Sequence, residues 1–249
     1  ALEEKINVGN CNSNSVADND RPKRTENLTI AHQFRTPMTI IQANSELLTL
    51  LVGTSNNEIK QEMTNATKRI KAEITRMTNL MNEILLMGKI SAGTIEPKRE
   101  FSDLKKVCAD LVEKYNSIQE DKREVDFSII GESRNIFINS NLMSHAISNL
   151  ISNALKYSED GNPELELVYE SHQVKIHVSD TGIGIPKDEI QYLFAPFHRA
   201  ANVGSIPGTG LGLSIVLDYV EMNEGTVAVE SIPNGKTTFT ITIPTGESA

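Results

Sequence analysis

Ala31-His32-Gln33-Phe34-Arg35-Thr36-Pro37-Met38 lies within a pattern in which Ala31, Phe34, Met38, Ile41, Ser45, Leu48 and Val52 recur at alternating steps of three and four. Such a stripe predicts a helix that packs against other helices. His32 falls one position off the seam, on the shoulder from which a side chain reaches solvent. Pro37 lacks the N–H that would bond the Gln33 carbonyl, and its ring crowds that carbonyl. A proline in a helix interior costs about 3 kcal/mol relative to alanine, so a bend one turn after an exposed histidine points to a purpose. On these residues alone a solvated surface histidine is the simpler reading of His32. The rest of the chain has to decide.

Outward from this stretch, the periodicity predicts a helix from Thr25 to Val52, a turn over Gly53–Asn57 with Asn57 as N-cap, and a second helix from Glu58 to Ser91. In the second helix Met63, Ile70, Met77 and Ile84 recur every seven residues. Ile59, Ala66, Leu80 and Met87 form a second seam, Glu73 interrupts it, and Ile74, Met81 and Leu85 broaden the apolar face. Two long helices joined by a short loop predict an antiparallel hairpin. Its apolar stripe is too broad for one partner, so dimerisation into a four-helix bundle is expected. A monomeric hairpin packed on its own C-terminal domain is the alternative. Residues 1–24, rich in Asn, Ser and Asp, bury too little to repay their ordering entropy and are expected to be a flexible linker.

The chain has 249 residues, enough for one large domain or two smaller ones. A net charge of −9 argues against a nucleic-acid binder, which would show a basic patch. No apolar run approaches the roughly 20 residues needed to span a bilayer, so no direct membrane contact is expected. The opening Ala1-Leu2-Glu3-Glu4-Lys5 has neither an initiator Met nor a signal-peptide core, which reads as a fragment or processed form. Cys11 and Cys108 make neither a disulfide framework nor a metal cluster. A cytoplasmic location is expected, with anchoring of a longer protein in the inner or plasma membrane left open.

Beyond Gly93 and Pro97 the pattern changes to α+β, giving residues 25–93 and 98–246 as two expected domains. Helices are predicted over Phe101–Asp121, Ser140–Tyr157 and Leu211–Asn223. Strands are predicted over Glu124–Ile130, Glu164–Ser171, Gln173–Ser179, Thr226–Ile232 and Thr237–Ile243, the last four as two hairpins. Strands with helices on one face make a two-layer sandwich.

Four local signals in this half point to a nucleotide. Asn149 and Asn153 stand at i and i+4 on the polar face of the apolar helix, with Lys156 and Tyr157 at its end. An amide oxygen is a hard ligand suited to Mg2+, and a lysine complements phosphate. Asp180-Thr181-Gly182-Ile183-Gly184 follows a strand directly; a carboxylate there can accept from an exocyclic amino group, and the glycines allow close approach. Gly208-Thr209-Gly210-Leu211-Gly212 opens a helix, where free N–H groups and the helix dipole suit a phosphate. Phe194-Ala195-Pro196-Phe197-His198-Arg199 precedes Ala200–Pro207, a segment able to close as a lid with Arg199 near the terminal phosphate. Each signal alone is an ordinary turn or helix face more often than a site. Their order and spacing carry the weight. His145, His172, His177 and His198 are scattered, lack zinc-site spacing, and are expected to be structural or surface residues.

Residues 25–245 resemble the sensor histidine kinases of two-component signalling. His32-Gln33-Phe34-Arg35-Thr36-Pro37 is similar to the family's phosphoacceptor box, Asn149–Tyr157 to its N box, Asp180–Gly184 and Gly208–Gly212 to its two glycine boxes, and Phe194–Phe197 to its F box. The resemblance implies a dimerisation and phosphotransfer bundle followed by a Bergerat-type (GHKL) ATP-binding sandwich. It makes His32 the nucleophile for the γ-phosphoryl group of ATP and Asn153 the Mg2+ ligand with Asn149 nearby. Lys156 and Arg199 would contact phosphates, Tyr157 would line the pocket and Asp180 would hold the adenine amino group. Gly182, Gly184, Phe197, Thr209, Gly210, Leu211 and Gly212 would complete the nucleotide site. The implied partner is the receiver domain of a response regulator, whose aspartate takes the phosphoryl group or is dephosphorylated, with Thr36 orienting water.

Three departures stand out. The residue after the phosphoacceptor is usually Glu or Asp, able to act as a base, whereas Gln33 cannot take a proton at neutral pH. That opens the alternative of a poorly autophosphorylating regulator phosphatase or ATP-binding scaffold. Met222-Asn223-Glu224-Gly225 replaces a His-Gly-Gly-like turn and reads as peripheral to the chemistry, and His198 replaces a more usual aromatic. A third reading, an ATPase coupled to dimer opening, fits poorly with a phosphoacceptor helix placed before the ATP domain.

Overall fold

The computed structural model describes residues 6–7, 21–51, 57–91, 98–118, 121, 123–158, 161–204, 206 and 208–245. Side chains within the helical residues 21–33, 57–58, 86, 87, 89 and 91 lie outside the description, as do residues 53–56 of the expected turn, Cys11 and most of the expected linker. The chain divides into two compact units, Asn14–Ala92 and Ala1–Ser13 with Gly93–Ala249.

The helical unit consists of α1, Arg21–Leu51, and α2, Asn57–Ser91, which pack against each other. Helix α1 begins four residues before the predicted Thr25 and continues through Pro37. Of the predicted α1 seam, Phe34, Ile41 and Leu48 are half-buried, but Met38 and Ser45 are exposed and Pro37 and Asn44, one position earlier, are buried in their place, while α2 buries Ala66 and Leu80. Asn44 satisfies its own buried amide by donating to the Ile40 carbonyl at 2.8 Å. A broad apolar face stays uncovered within the chain: Met38, Leu50, Ile74, Met81 and Leu85 are all exposed. Glu73, the acid in the second seam, meets Arg76 at 3.8 Å.

The second unit is a sheet with helices on one face. Its strands are β1 (Ile6–Asn7), β3 (Asp126–Ile130), β5 (Glu164–Tyr169), β6 (Gln173–Asp180), β7 (Thr226–Ser231) and β8 (Thr237–Pro244), in the order β1-β7-β8-β6-β5-β3. Among the described residues only β3 and β5 run parallel; the two predicted hairpins, β5–β6 and β7–β8, are antiparallel. A separate two-stranded sheet pairs β2 (Glu100–Ser102) with β4 (Ile136–Ile138). The helices are α3 (Leu104–Ile118), α4 (Ser140–Tyr157) and α5 (Gly212–Met222).

Alternation decides which face is inside. Leu165, Leu167, Val174, Ile176, Val178, Ile241 and Ile243 point to the helices and are essentially inaccessible. Met143, Ile147, Leu150, Ile151 and Ala154 of α4, with Ile215, Val216, Tyr219 and Val220 of α5, meet them. Each Val, Leu, Ile or Met among them contributes about 1.5–3 kcal/mol on burial. Cys108 of α3 sits in this core, where burial pushes its thiol up to about 12, so it is inert.

Three points differ from the sequence reading. Phe101 lies in β2, not at the start of a helix, and β4 was not anticipated; three residues are too few for alternation to register. Ile6 and Asn7, within the expected linker, pair with Val229 and Ala228 of β7.

Candidate nucleotide site

The C-terminal half of α4 meets both predicted glycine segments, and the Phe194–Arg199 segment joins the second of them at Gly210. The helix starts on a side-chain cap, with Asn139 Oδ1 accepting the Leu142 N–H at 3.0 Å. It ends at Tyr157, and its apolar side is locked in the core. Asn149, Asn153, Lys156 and Tyr157 are all half-buried.

The loop after β6 lies against the end of α4. Ile183 N–H donates to the Tyr157 carbonyl at 3.1 Å. A Cβ on Gly182 would overlap that same carbonyl oxygen, so only glycine fits there. Gly182 N–H donates to Asp180 Oδ1 at 2.9 Å. The loop is further tied by Asn202 Nδ2 to the Gly184 carbonyl at 2.8 Å and by Ile185 N–H to Ser231 Oγ at 2.9 Å.

Asp180 is buried at the end of β6. Desolvation pushes its carboxyl up to about 6, opposed by the Gly182 N–H. Gly182 uses one of the carboxylate's roughly four acceptor positions, which leaves capacity for an amino group. The geometry suits a ligand that donates a hydrogen bond.

The second glycine segment closes on the other side. A Cβ on Gly208 would lie 2.7 Å from Lys156 Nζ, and one on Gly212 would lie 3.4 Å from Asn149 Oδ1. Lys156 Nζ also donates to Tyr157 Oη at 3.0 Å and sits 4.5 Å from the centre of its ring. Gly210 adopts φ +77° with its α-carbon face against the Phe197–His198 backbone, where a Cβ would come within 2.7 Å of the His198 carbonyl. Thr209 Oγ1 accepts the Leu211 N–H at 3.2 Å, shaping the entry to α5, which has no side-chain cap. Leu211 itself is fully buried; its side chain anchors α5 in the core instead of lining a pocket.

Arg199 extends from the segment after Phe197. One guanidinium nitrogen donates to the Ile206 carbonyl, while its Nε is buried without a hydrogen-bond partner among the described residues. A desolvated, unpaired guanidinium N–H is costly, and an anionic oxygen is its natural complement. For a divalent cation, no group of three His, Cys, Asp or Glu side chains is available among the described residues. The Asn149 and Asn153 amides beside a phosphate-suited helix start fit Mg2+, which typically takes one or two protein oxygens plus phosphates and water.

His32, Gln33 and Thr36 lie on α1 of the helical unit; the side chains of His32 and Gln33 lie outside the described residues, and Thr36 is exposed. The structure adds residues that no local pattern marked. Glu189 Oε2 lies 2.7 Å from His198 Nε2, which makes His198 a tied residue and not a free surface one. Asn223, in the turn read as peripheral, is 1% exposed and accepts the Asn139 N–H at 2.6 Å. Among the described residues no helix is long and apolar enough to cross a membrane.

Comparison with known proteins places these units. Residues 138–247 match the histidine kinase-, DNA gyrase B- and HSP90-like ATPases, and residues 23–93 match the His kinase A phosphoacceptor domain. The chain is 30% identical to the sensor histidine kinase WalK of Bacillus subtilis over 90% of its own length and 37% of that protein's. It is 26% identical to the sensor protein KdpD of Escherichia coli over 86% of its own length and 24% of that protein's. It therefore spans well under half of these two relatives. In fold it resembles the Acinetobacter baumannii histidine kinase AdeS, with a TM-score of 0.66 at 21% identity over 87% of this chain and 98% of that one. It also resembles the histidine kinase ThkA, solved in complex with the response regulator protein TrrA, with a TM-score of 0.68 at 21% identity over 90% of this chain and 61% of that one. With a phosphoacceptor domain followed by this ATPase domain, the chain belongs to the sensor histidine kinases of two-component systems.

Proposed function

We propose that this protein phosphorylates its own His32 from ATP and passes the phosphoryl group to an aspartate on a response-regulator receiver domain. The observation that carries this reading is the convergence of Asn149, Lys156, Asp180, Gly208 and Gly212 at the end of one helix, in a chain that also bears the His32 helix. Residues 25–93 form the dimerisation and phosphotransfer domain and 98–246 the ATP-binding domain. The exposed apolar face of α1 and α2 is covered by a second copy of the chain, giving the four-helix bundle.

Phosphoryl transfer depends mainly on positioning and charge neutralisation. ATP is the phosphoryl donor, and Mg2+, when bound, offsets the charge on the phosphate oxygens. Asp180 accepts from the adenine amino group, with Gly182 and Gly184 shaping the loop around it. Tyr157 lines the pocket, and Phe197 supports the segment carrying Arg199. Lys156 and Arg199 bind phosphate oxygens. Thr209, Gly210, Leu211 and Gly212 set the start of α5 toward the same oxygens, and Asn153 with Asn149 would hold the metal. His32 supplies the imidazole nitrogen that takes the phosphoryl group, and Gln33 can hydrogen-bond to it but cannot take its proton. The response regulator is the partner; that ThkA has been solved with TrrA supports this class of interaction.

Gln33 also favours a second activity, dephosphorylation of the regulator, in which Gln33 and Thr36, three positions apart on α1, position water. The deciding experiment incubates the protein with γ-labelled ATP and Mg2+ beside a His32→Ala variant. Acid-labile, base-stable label that disappears in the variant is expected. Equal labelling of the variant would sink the assignment. No label despite ATP binding would leave the phosphatase reading.

A further inference from the structure

The two oxygens of Glu189 reach two different points of the segment that carries Arg199. Oε2 lies 2.7 Å from His198 Nε2, and Oε1 accepts the Ala201 N–H at 3.3 Å. Arg199 sits between these two anchor points. Glu189 follows the glycine loop and leads into a short 3-10 turn, Ile190–Tyr192, which places the Tyr192 ring against that of His198 at 5.7 Å between centroids. Both members of the pair are substantially shielded, with 18% of the Glu189 and 27% of the His198 side chain exposed.

The held segment is not one that would keep its shape unaided. Phe197 has φ +62°, a left-handed conformation that a bulky side chain adopts only where its surroundings over-determine it. On its far side the His198 carbonyl lies against Gly210. The guanidinium of Arg199 donates to the Ile206 carbonyl and keeps a buried Nε with no hydrogen-bond partner among the described residues. The backbone that aims this guanidinium is therefore clamped by one carboxylate from outside the segment.

We propose that Glu189 is a positioning residue for Arg199, acting through His198 and the Ala201 amide to hold the guanidinium where the terminal phosphate of a nucleoside triphosphate is bound. This rests on the reading of Arg199 given above. It assigns His198 a part in that positioning: its ring, packed on Tyr192, is the strut that transmits the Glu189 anchor to the arginine's backbone. A carboxylate bridging a side chain and a main-chain N–H immobilises a loop more effectively than either bond alone, because the second is formed at no further cost in freedom.

The test compares Glu189→Ala, Glu189→Gln and Arg199→Ala in the full chain, measuring Mg-ATP and Mg-ADP affinity by calorimetry and amide exchange at Ala201 in the nucleotide-free protein. A hydrogen bond to a charged group is worth about tenfold or somewhat more in affinity, so E189A, which lets the Arg199 contact loosen, is expected to bind ATP about tenfold more weakly. ADP, lacking the terminal phosphate, is expected to bind within twofold of the parent. E189Q keeps an acceptor for Ala201 and should fall between, and Ala201 should exchange faster in E189A. Combining E189A with R199A should add no ATP loss beyond R199A alone. Equal weakening of ATP and ADP in E189A would make Glu189 merely structural and overturn the proposal. An unchanged ATP to ADP ratio in E189A, with R199A still ATP-defective, would overturn it while leaving the role of Arg199 standing. Unchanged ATP binding in R199A would remove the reading of Arg199 and the proposal with it.

Discussion

The carbonyl of Tyr157 accepts the Ile183 N–H at 3.1 Å and thereby pins the last turn of α4 to the loop that follows β6. Two segments that are each unremarkable alone become one wall of the site, and the closeness of that contact excludes every side chain at Gly182. Gly182→Ala would push against a carbonyl that is already committed to Ile183. Overpacking of this kind costs about 1–3 kcal/mol, or roughly 2–10 °C in melting temperature for a unit of this size. We expect calorimetry to show that loss together with abolished nucleotide binding. An unchanged melting curve and affinity would contradict the close approach.

Burial raises the Asp180 carboxyl to about 6 in the folded protein, above the ordinary 3.8. The folded state thus holds the proton more tightly than the unfolded chain, so stability falls as pH rises from near 4 through about 6. Asp180→Asn removes the charge and keeps an acceptor for Gly182. Its melting temperature should exceed that of the parent at pH 7.5, with the gap closing near pH 4. Adenosine has no phosphate to titrate, and its affinity for the parent should weaken below pH 6, because the donor amino group favours the ionised carboxylate. A flat pH profile would remove Asp180 as the adenine acceptor.

Asn223 joins the end of α5 to the start of α4, accepting from Asn139 N–H at 2.6 Å and donating to the Tyr219 carbonyl at 2.8 Å. Asn223→Ala leaves a shielded N–H and carbonyl without partners, at about 1–3 kcal/mol for each buried group. Urea denaturation should therefore show a loss of about 2–6 kcal/mol. Nucleotide affinity of the protein that remains folded should hardly move, since Asn223 lies at the opposite end of α4 from Lys156. A loss below half a kilocalorie would mean that water replaces the amide.

The uncovered face of the helical unit predicts a self-association surface. Ile74→Glu with Leu85→Glu places charges on positions that are already half or more exposed in the single chain. In a monomer such changes shift stability by no more than about 0.5 kcal/mol each; in a dimer interface each would bury an unpaired carboxylate. Light scattering should show a dimer for the parent and a monomer for the double variant. A dimer that survives both substitutions would place the contact elsewhere.

Gln33→Glu supplies the base that the amide cannot. A positioned general base is typically worth 10²- to 10⁴-fold, and at least a tenfold rise in the rate of His32 labelling is expected if proton removal limits the parent. An unaltered rate would mean that the base comes from another residue or that proton transfer is not limiting.

Much of the architecture was legible in the sequence because burial leaves a periodic imprint. Sevens along Met63–Ile84 and alternation along Val174–Val178 record which side of an element is inside, whereas of the three-and-four stripe along Phe34–Leu48 the structure leaves Met38 and Ser45 exposed and buries Pro37 and Asn44 one position before them. The same local logic placed Asp180 at a strand end and Gly208–Gly212 at a helix start, because turns and caps are decided by a few adjacent residues. What no window of sequence contains is the partner of a group that must be satisfied from far away. Asn139 and Asn223 stand 84 positions apart, and Arg199 is framed by a carboxylate ten residues earlier. Leu211 reads as part of a phosphate loop but is buried, because α5 must be anchored before its first turn can face a ligand. The three-residue strands β2 and β4 exist through pairing with each other, which gives neither a pattern of its own. Sequence determined the elements and the chemistry that each could offer. Tertiary structure decided which of those offers meet, since a loop's polar groups are satisfied only by whatever folding brings beside them.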